Sequence, residues 1–245
     1  MAATIRIGIS GWRYEPWRDV FYPSTLPQRC ELEYASRRFP TIEINGSFYS
    51  LQRPESYAAW YADTPTGFTF AVKGGRFITH MRKLRDVEEP LANFLASGLF
   101  NLREKLGPIL WQFPPTFKYD RTRLEPFLEL LPRDTGAASR LARRRFAWMK
   151  GRGRTGIEAL ERWARRIRAW NSGKEPADAR KILSAKLRMS KARDVYCFFD
   201  NTDAKLRAPV DAQSLMEKLG VPPGRPSDDA INTRRNRHIN RRVSI

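Results

Sequence analysis

The chain has 245 residues, 41% of them hydrophobic and seven of them tryptophan, enough to fill the core of one large α/β domain or two small ones. Its net charge of +19 favours polyanions as a long-range field and carries no information about the fold. Cys30 and Cys197 stand in no CxxC pair and beside no histidine, so they imply no zinc site, and no apolar run is long enough to span a membrane.

Met1 to Thr4 run straight into the first strand, which leaves no room for a signal peptide; with so few cysteines this predicts a soluble, cytoplasmic protein. Ile5 to Ile9 alternates, with Ile5, Ile7 and Ile9 on one face and Arg6, Gly8 and Ser10 on the other. Ser10-Gly11-Trp12 opens the next loop. Pro27 to Phe39 reads as a helix, with Leu32, Ala35 and Phe39 on one face. The 41–45 strand sets Ile42 and Ile44 against Thr41, Glu43 and Asn45. Pro54 to Ala62 is a short helix and Phe68 to Val72 a third strand, closed by Lys73-Gly74-Gly75. Pro90 to Leu106 is a longer helix. Ile109 to Phe113 is a fourth strand, stopped by Pro114-Pro115, and Arg121 to Leu131 is a helix on the i, i+3, i+4, i+7 rule.

Strands alternating with helices imply a parallel sheet with helices outside it. The pattern then fails. From Pro132 to Lys191 there is no convincing strand. Arginines crowd residues 140–154, Ile157 to Trp170 is an amphipathic helix, and Asn171 to Lys191 reads as a polar, basic loop. Val195 to Phe199 is a fifth strand, ending at Asp200-Asn201, and Pro209 to Leu219 a last helix. Residues 221–245 form a basic tail, poor in apolar side chains and expected to be disordered.

Five motifs in order resemble the YecE-like family, the domain of unknown function numbered 72. They are Arg6-Ile-Gly-Ile-Ser-Gly-Trp12; Thr41-Ile-Glu-Ile-Asn45 with Ser47-Phe-Tyr49; Phe70-Ala-Val-Lys73 with Ile78-Thr-His80; Leu110-Trp-Gln-Phe-Pro-Pro115; and Asp194-Val-Tyr-Cys-Phe-Phe-Asp-Asn201. The likeness runs from about Arg6 to Arg154 and again from about Leu160 to Leu219. It implies a (β/α)8 TIM-barrel-like fold and brings no established reaction. The segment carrying roughly strands five to seven of that family has no counterpart here. The expectation is therefore an incomplete, open barrel of about five parallel strands over residues 1–220, where a complete barrel needs about 250.

Sites in such barrels lie at the carboxyl ends of the strands. The register there nominates Glu43, Lys73, His80 and Asp200 for chemistry, and Ser10, Trp12, Asn45, Gln112, Asn201 and Asp203 for ligand contact. A carboxylate serves as general acid or base, a lysine holds an anionic group, and a histidine moves protons near neutrality. The structural alternative is a buried Glu43–Lys73 ion pair. Lys73-Gly74-Gly75-Arg76 is a candidate phosphate cradle without the spacing of a P-loop. Phe48, Tyr49, Tyr57, Trp60 and Tyr61 either stack on a sugar or base or pack the helix beside the second strand. The expected function is a hydrolase-type enzyme on a small or phosphorylated ligand, impaired by truncation. The competing one is a basic nucleic-acid-binding protein, whose Arg-rich 140–154 and 234–242 stretches bind phosphates in a salt-sensitive, sequence-blind way. With only His80 and His238 in the chain, a multi-histidine metal site is excluded, and no cofactor is indicated.

Overall fold

A computed structural model describes residues 3–132, 157–176, 192–200 and 207–224. Among them five parallel strands form one sheet, in the order β4-β3-β2-β1-β5. These are β1 (Ile5–Ser10), β2 (Thr41–Ile44), β3 (Thr69–Lys73), β4 (Leu106–Leu110) and β5 (Val195–Phe199). The sheet is a curled half-barrel, an incomplete version of the expected fold. The helices described around it are α1 (Glu31–Ser36), α2 (Gly46–Tyr49), α3 (Pro54–Ala62), α4 (Glu88–Ala96), α5 (Arg121–Leu130), α6 (Ile157–Asn171) and α7 (Ala208–Leu219). None of the described helices is long and apolar enough to cross a membrane.

Strand alternation separates two environments. Ile7, Ile9, Ile42, Ile44, Phe70 and Val72 are buried on the helix side. They pack with Leu32, Phe39, Tyr57, Leu102 and Leu215 in one continuous core. The other face is polar, and the register stacks it in layers. Gly8 and Thr69 flank Thr41; Ser10 and Ala71 flank Glu43. Gly8 is dictated by this crowding, because a Cβ there would stand 1.9 Å from the Thr41 carbonyl oxygen. The Thr41 hydroxyl donates to the Thr69 carbonyl at 2.7 Å and ties β2 to β3 on that face.

Several expected boundaries are corrected. The fourth strand lies at Leu106–Leu110, not at Ile109 to Phe113, so Gln112 sits beyond its end. Its register on β3 slips between Phe70 and Val72, a bulge that falls at Gly107-Pro108. An edge strand with a bulge is where a proline without an N–H is tolerated in a sheet. The helix expected from Pro90 to Leu106 ends at Ala96. Gly98, at φ +99°, then turns the chain into a 3-10 segment, Leu99–Lys105. The helix expected from Pro27 is a 3-10 turn, Gln28–Cys30, followed by the short α1. The third strand starts one residue late and takes in Lys73. Neither α2 nor the π-helix Phe77–Met81 was expected.

The Arg-rich 140–154 stretch, the basic loop after residue 176 and the tail from residue 225 lie outside the described residues. The first tail residues do not. Gly220, at φ +64°, ends α7, the Val221 N–H bonds the Met216 carbonyl at 3.0 Å, and Gly224 passes so close to Ser36 that a Cβ would lie 2.4 Å from its carbonyl oxygen.

Candidate functional site

The polar face opens at the carboxyl ends of the strands, as expected for this architecture. Its floor is the Ser10–Glu43 pair. Ser10 is 2% exposed and Glu43 3%, and the Ser10 hydroxyl donates to Glu43 Oε2. A buried carboxylate is kept only where polar partners compensate its lost water, so this contact explains how Glu43 is tolerated.

One layer higher, Lys73 ends β3. Glu43 is in register with Ala71, so Lys73 lies one alternation nearer the mouth. Its ammonium stands 4.9 Å from the centroid of the Phe48 ring, a cation–π distance. Lys73, like Glu43, is buried. Phe48 is aimed by α2. The Ser47 hydroxyl lies 3.0 Å from the Ile44 carbonyl and 2.7 Å from the Lys73 carbonyl, which pins α2 to the ends of both strands. The π-helix brings His80 edge-on to Phe48, with centroids 5.0 Å apart. His80 Nδ1 is 2.9 Å from the Thr79 hydroxyl.

Together these elements enclose a cavity of about 800 Å³. Five of the residues nominated from sequence line it: Asn45, Lys73, His80, Gln112 and Asp200. So do Tyr14, Phe48, Tyr49, Arg76 and Met81. Ser10 and Glu43 lie beneath it rather than in its wall. Trp12 points to the helix side, where its ring meets Trp60 edge-on at 5.3 Å and Phe70 at 6.4 Å; it lines a neighbouring cleft instead. Asn201 and Asp203 lie outside the described residues.

Sequence reasoning missed Tyr14. Its hydroxyl donates to the Ser10 carbonyl at 3.0 Å. Burial pushes its pKa up, and the charge of Asp200 pushes it further; a hydrogen bond with Asn45 works against them, and Tyr49 and Glu43 add smaller upward pushes. Tyr14 thus feels both carboxylates of the site. Its only signal in the sequence was its place in the loop after β1, the region where barrel sites are built. Arg76 had been noted only as part of the glycine-rich stretch. Gly74 in that stretch is required by packing, since a Cβ would stand 2.3 Å from the Trp111 ring. Among the described residues, no group of three His, Cys, Asp or Glu could hold a metal ion.

Comparison with known proteins gives a consistent picture. The profile of a family described as protein of unknown function DUF72 matches residues 6–152. The UPF0759 protein YunF of Bacillus subtilis (strain 168) is 34% identical over 118 residues, which are 46% of this chain and 41% of that protein. The UPF0759 protein YecE of Escherichia coli (strain K12) is 30% identical over 129 residues, 52% of this chain and 44% of that protein. The matched stretch therefore spans less than half the length of either relative. A crystal structure of a DUF72 family protein from Thermotoga maritima superposes with a TM-score of 0.65 at 20% identity, over 89% of this chain and 99% of that one. Another from Enterococcus faecalis gives 0.57 at 16% identity, over 92% and 99%. At these identities the structural likeness is one of fold.

Proposed function

This chain belongs to the DUF72 family, and from that premise we propose that the mouth of its half-barrel binds a small phosphorylated ligand and supports hydrolysis of it. A shared fold names no reaction, so the reading rests on the side chains. The observation that carries it is a single cavity lined by two cations, Lys73 and Arg76, a histidine, His80, and a carboxylate, Asp200. In the proposed step, water adds to phosphorus and the bond from phosphorus to the leaving oxygen breaks. Asp200 takes the proton of the attacking water and His80 returns one to the leaving oxygen. Lys73 and Arg76 offset the charge on the non-bridging oxygens, and Glu43 with Ser10 fixes the floor beneath them.

A thermal-shift screen of phosphorylated metabolites against their unphosphorylated counterparts tests this reading. A ligand at a hundred times its Kd stabilises the fold by about 2.7 kcal/mol, a rise of roughly 5 °C or more in Tm for a chain of this size. The rise is expected with phosphorylated compounds alone and is lost in Lys73→Ala. Equal stabilisation by unphosphorylated compounds, or no effect of Lys73→Ala, overturns it. The net charge of +19 favours a second reading, a basic nucleic-acid-binding protein that uses the half-barrel as a scaffold. RNA binding that weakens with salt and is lost on removing residues 225–245 supports that reading instead.

A further inference from the structure

A second cleft, of about 460 Å³, opens beside the first. Tyr14, Asn45 and Tyr49 line both, so the two share one wall. Their chemistry differs. The first holds Lys73, Arg76, His80 and Asp200. The second is walled by Trp12 and Trp60, with Gln52 and Arg13 at its edge.

The aromatic wall is fixed. The two indoles meet edge-on at 81°, and the Tyr22 hydroxyl donates to the Trp12 carbonyl at 2.6 Å, anchoring the loop from behind. Gly11, at φ +78°, leaves room for the Tyr14 ring, which a Cβ would approach to 3.1 Å. At the seam stands Asn45, which lines both clefts and whose side chain is hydrogen-bonded with Tyr14. An amide placed there carries both donor and acceptor atoms of the kind a hydroxylated ring pairs with. The Gln52 amide, which donates to the Ser50 carbonyl at 3.0 Å, lies on the same side. Aromatic faces beside side-chain amides suit a ring with apolar C–H faces and hydroxyl edges.

We infer that the second cleft is a subsite for a hydroxylated ring carried by the same ligand, which makes the ligand class a sugar phosphate. The phosphate sits between Lys73 and Arg76, and the ring passes Asn45 to lie against Trp60. This inference rests on the phosphorylated-ligand reading above, and the test separates the two.

The experiment is calorimetric titration of the full chain with inorganic phosphate, a hexose 6-phosphate, a nucleoside monophosphate and the free hexose. The proteins are the wild type, Gln52→Ala, Trp60→Leu and Arg76→Ala, with the fold of each variant checked by thermal unfolding. The hexose phosphate is expected to bind at least tenfold more tightly than inorganic phosphate. Gln52→Ala, which sits at the cleft edge and spares the core, removes most of that advantage and leaves phosphate affinity unchanged. Trp60→Leu does the same where it remains folded. Arg76→Ala weakens phosphate and hexose phosphate alike. Equal affinity for hexose phosphate and phosphate overturns the ring subsite and leaves the anion site standing. Tighter binding of the nucleoside monophosphate than of the hexose phosphate overturns the sugar assignment. Absence of binding by every phosphate overturns the anion site and the subsite with it.

Discussion

The Ser10 hydroxyl donates to the Glu43 carboxylate across the β1–β2 pair, where the two residues stand opposite each other in register. Both are buried, so the contact lies in the floor of the mouth and sets what stands above it. Removing a hydrogen bond to a charged buried group costs about 1.5–3 kcal/mol. Ser10→Ala is expected to lower stability by that amount in urea unfolding. In a Glu43→Gln background the same change costs about 1 kcal/mol, the value for a neutral pair. Equal costs in both backgrounds contradict the contact.

Two glycines separate crowding from backbone conformation. At Gly8 a Cβ would strike the Thr41 carbonyl oxygen at 1.9 Å, and that oxygen belongs to a paired strand. Gly8→Ala should destabilise by about 3 kcal/mol or more, at the upper end of overpacking costs. Gly67, at φ +82°, has open space around it. Gly67→Ala should cost only the left-handed backbone penalty, about 1–2 kcal/mol. The comparison is made by chemical denaturation of both variants.

Lys105 is 5% exposed and gives its ammonium to the Tyr61 carbonyl at 2.6 Å, the Thr64 carbonyl at 2.7 Å and the Thr64 hydroxyl at 3.1 Å. It therefore closes the carboxyl end of α3 rather than serving the mouth. Lys105→Met leaves these acceptors without their donor. It should destabilise the fold by about 1–3 kcal/mol while leaving ligand affinity unchanged. A loss of affinity with stability intact would place Lys105 in the site instead.

Alkaline pH should unfold the protein. Burial pushes the Cys197 thiol up to about 12 and raises Tyr14, Tyr22 and Tyr57. Each group keeps its proton longer in the folded state, so the unfolded chain binds fewer protons at high pH and stability falls as pH rises. For Cys197 the stabilising contribution is complete below its ordinary value of 9.0 and is lost between there and about 12. Cys197→Ala should flatten that part of the profile. In the native protein the half-buried Cys30 should react with a thiol reagent well before Cys197.

Much of the sheet was legible because strands with one apolar face alternate strictly. Ile7 and Ile9, then Ile42 and Ile44, place Ser10 and Glu43 on the opposite face without further information. The fourth strand was misplaced for a physical reason. From Leu106 to Phe113 apolar residues run almost without a break, so periodicity cannot set the start, and only an edge position admits Pro108 to the strand. The long helix was cut short by Gly98, whose approach to Pro54 depends on tertiary packing. In the site, Asn45, Lys73, His80, Gln112 and Asp200 were recoverable because strand ends are where barrel sites form. Tyr14 and Arg76 were not, because loop conformation brings them in and no spacing records it. Trp12 turned to the helix side because Gly11, at φ +78°, reverses the chain just past β1.

The most direct test of the account is backbone amide chemical-shift mapping of the labelled chain during titration with a hexose 6-phosphate. The account predicts saturable shifts at Lys73, Arg76 and His80, with Asn45 and Gln52 responding to the sugar and not to inorganic phosphate. Shifts gathered in residues 140–154 and 234–242, with the strand ends unmoved, would contradict it.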